Sequence, residues 1–391
     1  MLTRTSPLSR ALGAVAAIGL VATACGSDDT SSSSAETSGG DAASTEVASS
    51  DAGGETGATT ADGTADGGAT EGTAAEGTGS AGGGAASGDA PKLAIVYSAE
   101  WFDGSWGEAA YDGATKLEEE GVISEAALSE NIQPGAEGER ALRAYAEEGY
   151  NPIIAHSFDF GDDVKKVAAD FPDTIFVYAG GFGDVDGNVG DYEQPFYQAS
   201  YLEGILAAGA TDGGNVGGSA GFEIPACYSM YEAFLAGAKE IRPETEGSFV
   251  AVGDWYDVQL AKEAALGQAD DDATMFVGCG QAPTFGQIEA ANDRGGVSTG
   301  YVGDMSEVGE SVLSSFEWRL DLVFGEMVED VAAGSNEAQY YSVSLADGGL
   351  EVVIDPADQD AISAEAMELY ETRLAEIQDG SFEVPFVPEA G

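Results

Sequence analysis

The chain carries one histidine, His156, three cysteines and four tryptophans in 391 residues. A single imidazole rules out His-rich metal centres and leaves one possible base for a serine or cysteine nucleophile. Three cysteines exclude a disulfide-dense scaffold. Acids are plentiful, 70 against 14 basic side chains, for a formal charge of −56. Runs such as Asp270-Asp271-Asp272 and Glu118-Glu119-Glu120 lack the spaced Asp-x-Asp-x-Asp-Gly loop, closed by a Glu, that holds calcium. No metal and no cofactor is therefore expected. Among so many acids a carboxylate pair of the glycosidase kind arises by chance, so nothing here demands an enzyme. Nucleic acid is excluded as a partner, because phosphate contacts need clustered Lys and Arg. Of the 70 acids, 58 lie beyond Pro91, and they read as a solvated face whose self-repulsion salt would screen.

What remains is a set of aromatic and acidic residues directly after short apolar runs. Trp101-Phe102-Asp103-Gly104-Ser105-Trp106 follows residues 92–98, and Phe158-Asp159-Phe160 follows 152–157. Phe222 and Tyr228 follow 215–219, and Asp254-Trp255-Tyr256-Asp257 follows 248–252. Any one of these rings alone could cap a core at the base of a loop. Together they suit stacking on a flat ligand whose N–H groups neighbouring carboxylates would fix. Gly278-Cys279-Gly280-Gln281-Ala282-Pro283 begins like a dinucleotide fingerprint, but Pro283 replaces the third glycine and fits the first turn of a helix. His156 ends an apolar run and reads as a satisfied structural histidine.

The elements that position these loops alternate. Further apolar runs lie at 174–179, 273–277 and 298–302, and helical spacing marks 106–120, 137–148, 164–170, 196–208, 227–241, 258–269 and 283–294. Short buried strands alternating with helices imply an α/β fold with parallel sheets, and their number favours two doubly wound lobes. In such sheets ligands bind beyond the carboxyl ends of the strands.

The N-terminus reads as an address. Arg4 and Arg10 precede an apolar run over 11–24, too short to span a bilayer and suited to a signal peptide. The sequence Val21-Ala22-Thr23-Ala24-Cys25-Gly26 resembles the bacterial lipobox, with Ala22 in the place of the usual leucine, which makes Cys25 the lipidated first residue of the mature chain. Residues 26–90 hold 12 acids, no Lys or Arg and no aromatic residue. They read as a flexible tether with a reach of about 40–50 Å. The expected organisation is a signal peptide over 1–24 and a lipidated cysteine with an acidic linker over 25–90. A first lobe over 91–209 is completed by part of 305–345, and a second over 210–304 by part of 346–391.

Several segments in order resemble the basic-membrane-protein family of lipoproteins, the substrate-binding components of bacterial nucleoside and purine ABC importers. They are Phe102-Asp103-Gly104-Ser105-Trp106, Phe171-Pro172-Asp173-Thr174-Ile175-Phe176, Tyr201-Leu202-Glu203-Gly204-Ile205-Leu206-Ala207, Ala236-Gly237-Ala238-Lys239, Trp255-Tyr256-Asp257 and Gly300-Tyr301-Val302-Gly303-Asp304-Met305. The resemblance implies a type I periplasmic-binding fold, two Rossmann-like lobes joined by three hinge crossovers. It also implies that Trp106 and Trp255 stack on the base from opposite lobes and that Asp304 hydrogen-bonds the ligand. Two departures bear on ribose. Ser315-Phe316-Glu317-Trp318 stands where nucleoside binders carry a lysine, and Ala179-Gly180-Gly181 where they carry an aspartate.

The expected function is a monomeric, lipid-anchored receptor outside the cytoplasm that hands a purine base or nucleoside to an ABC permease. A tethered sensor of the same fold and a nucleoside hydrolase are the alternatives. The expected ligand-binding residues are Trp106, Trp255, Asp304, Asp103, Phe102, Phe158, Phe222, Tyr256, Asp254, Asp257 and Trp318, the last lining the pocket in place of the lysine. With Cys25 taken by lipid, Cys227 and Cys279 are expected to pair as a disulfide; two buried thiols are the other reading.

Overall fold

A computed structural model describes residues 90–389. The signal segment, Cys25 and the tether up to residue 89 lie outside the described residues. The chain opens with β1 (Lys92–Val96), α1 (Trp106–Glu119), β2 (Glu125–Ser129), α2 (Ala136–Glu147), β3 (Ile153–Ala155), α3 (Gly161–Ala168), β4 (Phe176–Tyr178) and β5 (Val189–Tyr192). Leu93 to Val96 are fully buried, as both faces of a parallel sheet require. Next come α4 (Phe196–Ala210), β6 (Asn215–Ala220), α5 (Pro225–Ile241), β7 (Gly247–Ala251), α6 (Val258–Asp270), β8 (Ala273–Cys279), α7 (Gln281–Arg294), β9 (Val297–Val302) and β10 (Val312–Trp318). The chain finishes with α8 (Leu320–Ala332), β11 (Tyr340–Tyr341), β12 (Leu350–Ile354) and α9 (Ala364–Gln378).

Two six-stranded sheets result, ordered β11-β5-β4-β3-β1-β2 and β12-β10-β9-β8-β6-β7. All pairings are parallel except that of β10 with β12. The chain passes between the lobes three times: between β5 and α4, at Arg319 between β10 and α8, and between β11 and β12. This is the two-lobed, three-crossover α/β architecture expected from the sequence, but its boundaries fall elsewhere. Helix α4, expected in the first lobe, packs instead on α5, α9, β10 and β12 of the second. Strand β10 carries the second sheet past residue 304, and α8 packs on α1 of the first lobe.

Helix α4 is apolar around nearly its whole circumference because it is covered on all sides. Its Gly204 lies so close to α5 that a Cβ there would meet the Phe234 carbonyl oxygen at 2.0 Å, and one on Gly237 would meet that of Tyr201 at 1.9 Å. Only glycine at both positions lets the two backbones touch.

Candidate functional site

The loop after β1 is organised by Asp103. Its carboxylate accepts hydrogen bonds from the backbone N–H groups of Ser105, Gly107 and Glu108 at 2.9, 3.0 and 3.2 Å, supplying partners for the free donors at the start of α1. It also accepts from the Tyr97 hydroxyl at 3.0 Å. This presents Trp106, the first residue of α1, to the space between the lobes. In the second lobe Trp255 follows β7 and lies on two glycines, a Cβ on Gly221 or Gly280 meeting its ring at 2.3 or 2.7 Å.

Between them lies a cavity of about 640 Å³, open solvent at its mouth included. Tyr97, Ser98, Trp106, Ser157, Phe158, Asp159, Ala179 and Gln194 line it from the first lobe, and Ile224, Cys227, Trp255, Tyr256, Gly280, Gln281 and Tyr301 from the second. Nearly all follow the carboxyl end of a strand, where doubly wound sheets bind ligands. The lobes touch across it. Phe158 meets Trp255 edge-on at 6.1 Å, and Gln281 donates its side-chain N–H to the Asp103 carbonyl oxygen.

Of the expected residues, the structure brings Trp106, Trp255, Phe158 and Tyr256 to this wall. Trp106 is part core as well. It stacks on His156 at 4.7 Å, lies parallel to Tyr301 at 6.4 Å and donates its indole N–H to the His156 carbonyl at 3.3 Å. His156 is fully buried between the Trp106 carbonyl and the Tyr192 hydroxyl, and burial pushes its pKa down to about 4.

The other expected residues lie off the wall, for separate reasons. Asp103, Asp254, Asp257 and Asp304 are held by their own loops. Asp254 accepts from Tyr256 and Asp257 N–H, Asp257 caps α6 through Leu260 N–H at 2.9 Å, and Asp304 accepts from Ser306 N–H at 3.0 Å. Phe102 packs outward on Tyr111, and Phe222 flanks Trp255 edge-on at 5.6 Å. Trp318 is buried behind Trp106 at 5.1 Å and, with Asp304, borders a second depression between α1 and the Arg319 crossover. There Arg319 and then Lys116 bond the Asp321 carboxylate, holding its pKa down at about 2. Asp159, Gln194 and Gln281 were missed as wall residues, although each stands directly after a strand or the turn that ends one.

Cys227 and Cys279 are joined, with Cα atoms 5.4 Å apart, tying the start of α5 to the end of β8 beside the cavity. Closing a loop of 52 residues stabilises by about 4 kcal/mol on the chain-entropy estimate. Replacing both cysteines by serine should therefore lower unfolding free energy by roughly 2–4 kcal/mol in urea titration. An unchanged midpoint would show that the bond contributes nothing.

Two α/β lobes, crossed three times by the chain and closing on an aromatic cavity beyond their strand ends, define a two-lobed solute-binding protein. The solved structure of an ABC transporter solute-binding protein from Conexibacter woesei has the same fold. Its TM-score is 0.61 at 21% identity, covering 77% of this chain and 100% of that one. The chain belongs to the Bmp family of PnrA-like ABC transporter substrate-binding proteins, whose model matches residues 90–385. It is 29% identical over 267 residues to a Haloferax volcanii protein named "Putative ABC transporter glucose-binding protein TsgA13", covering 68% of this chain and 66% of that one. It is also 29% identical over 216 residues to a purine-binding protein of Brucella abortus, covering 55% of this chain and 61% of that relative. The chain thus spans less than two thirds of either relative. Among the described residues no helix is long and apolar enough to cross a membrane.

Proposed function

We propose that this chain is the receptor of an ABC importer, anchored outside the cytoplasm through lipidated Cys25, and that it closes on a purine base or nucleoside and delivers it to a permease. One observation carries the reading: rings from both lobes, with Trp106 on one side and Trp255 on the other, line a single cavity. The purine-binding relative supports it. Lobe closure then follows from binding, because only the closed form offers the ligand both walls, and the ligand shifts the population toward it. The relative named for glucose favours a second reading, a hexose stacked on the same rings.

Calorimetry with adenine, guanine, adenosine, guanosine, inosine and D-glucose separates the two. Binding of a purine and not of glucose supports the first reading; binding of glucose alone overturns it. Trp255 is half-buried and rests on glycine backbone, so it is platform more than core. Trp255→Ala should weaken the bound purine ten- to a hundredfold, roughly the 1–3 kcal/mol of one stacked face. Unfolding free energy should change by less than about 2 kcal/mol. Unchanged affinity would remove Trp255 from the site.

A further inference from the structure

The hydrogen bonds of the cavity wall show which half of four of its polar groups is left for an occupant. Gln194 is 6% exposed and donates its Nε2 to the Ala179 carbonyl oxygen at 2.9 Å. Its Oε1 has no partner among the described residues. Gln281 donates its Nε2 to the Asp103 carbonyl oxygen in the same way. A carbonyl oxygen can only accept, so both amide orientations are fixed, nitrogen toward the protein and oxygen left over. Tyr97 spends its hydroxyl proton on Asp103. Asp159 completes the set. Among the described residues its carboxylate meets only the Ser157 hydroxyl, at 3.4 Å, whereas Asp103, Asp254, Asp257 and Asp304 are taken up by backbone N–H groups. These four groups turn acceptors toward the cavity, beside the hydroxyls of Ser98, Tyr256 and Tyr301, and the lining includes no Lys or Arg.

We infer that the site selects a heterocycle with two adjacent N–H donors on one edge, as guanine presents, and that Asp159 is the residue that sets this preference. The inference rests on the reading of the site as a purine receptor. A carboxylate accepts two parallel N–H bonds side by side. Guanine supplies both through N1–H and its 2-amino group; hypoxanthine supplies only N1–H. Adenine offers a donor beside a ring nitrogen whose lone pair would face the carboxylate. An acceptor left unmatched inside a closed cleft costs affinity, so one missing N–H discriminates more strongly than a missing methylene.

The test is tryptophan-fluorescence titration with guanine against hypoxanthine and guanosine against inosine, two pairs that differ only in the 2-amino group. Wild type should bind the 2-amino member of whichever pair it accepts at least tenfold more tightly. Asp159→Asn and Asp159→Ala should each bring that compound to within about threefold of its partner. Asp159 is exposed at the cavity mouth, so neither change removes core packing. Equal affinities in wild type, or a preference that survives both substitutions, overturns the inference and leaves the purine reading standing. Binding of none of the four compounds overturns the inference, and if adenine and adenosine also fail to bind, the purine reading falls with it.

Discussion

Asp191→Ala should lower the melting temperature by roughly 10 °C and strip residues 180–184 of hydrogen-exchange protection. Asp191 is fully buried on β5, and the loop after β4 wraps its carboxylate. The N–H groups of Gly180, Gly181, Phe182, Gly183 and Asp184 all point at its two oxygens, at 2.8, 2.8, 2.8, 2.9 and 3.3 Å. Glycine is required for the wrap, since Gly181 and Gly183 adopt φ of +71° and +73°. Removing the carboxylate leaves these donors without their acceptor, a loss of about 3–5 kcal/mol. Asp191→Asn should cost less, about 2 kcal/mol, because one oxygen survives while the new NH₂ faces donors. The loop ends one wall of the cavity at Ala179, so affinity should fall with stability. An alanine variant that melts with wild type and keeps its slow amides would show that the loop is held by something else.

Glu203→Gln should gain stability over wild type as pH rises, by on the order of 4 kcal/mol between pH 5 and pH 8. Glu203 is fully buried in α4, one oxygen accepting from the Ser314 hydroxyl at 3.2 Å and the other without a partner among the described residues. Burial raises its pKa to about 8 from a usual 4.5. Between those values the folded chain keeps a proton that the unfolded chain has lost, so stability falls with rising pH across that window. His156 acts in the opposite sense. Its pKa is lowered to about 4 from 6.5, so the unfolded chain holds the extra proton and stability falls as pH drops from 6.5 to 4. The two contributions oppose each other between about pH 4.5 and 6.5, and Glu203 acts alone from there to pH 8. Urea titrations of both proteins across this range measure the difference; parallel curves would mean that Glu203 is ionised in the fold.

The architecture was legible in the sequence because buried parallel strands leave an apolar run that little else produces. Runs at 92–98, 215–219 and 273–277 all became strands. Strands β2, β5, β10, β11 and β12 are not among the runs read from the sequence, and the first three have a physical reason. β2 lies at a sheet edge with no fully buried residue. β5 carries Asp191, and β10 carries Ser314 and Ser315; these polar groups are tolerated inside only because distant partners satisfy them. The rings at 106 and 255 were legible as cavity-wall residues from their place after strands. The carboxylates were not, because an aspartate that caps a helix and one that reads a ligand stand in the same kind of loop. Asp257, three residues before Leu260 at the start of α6, has the spacing of a cap, and the structure uses it so. Lobe membership was illegible for another reason: α4 is apolar on every side, so its pattern does not say which sheet it covers.

The three crossings also constrain the order in which the molecule can be made. The first sheet waits for β11 at its edge and the second for β12, so neither lobe is complete when the chain has been synthesised only as far as residue 338. Both sheets gain these edge strands only between residues 340 and 354. A nascent chain that stops short of residue 340 therefore holds both sheets with an edge strand missing, and such bare edges are where chaperones are needed.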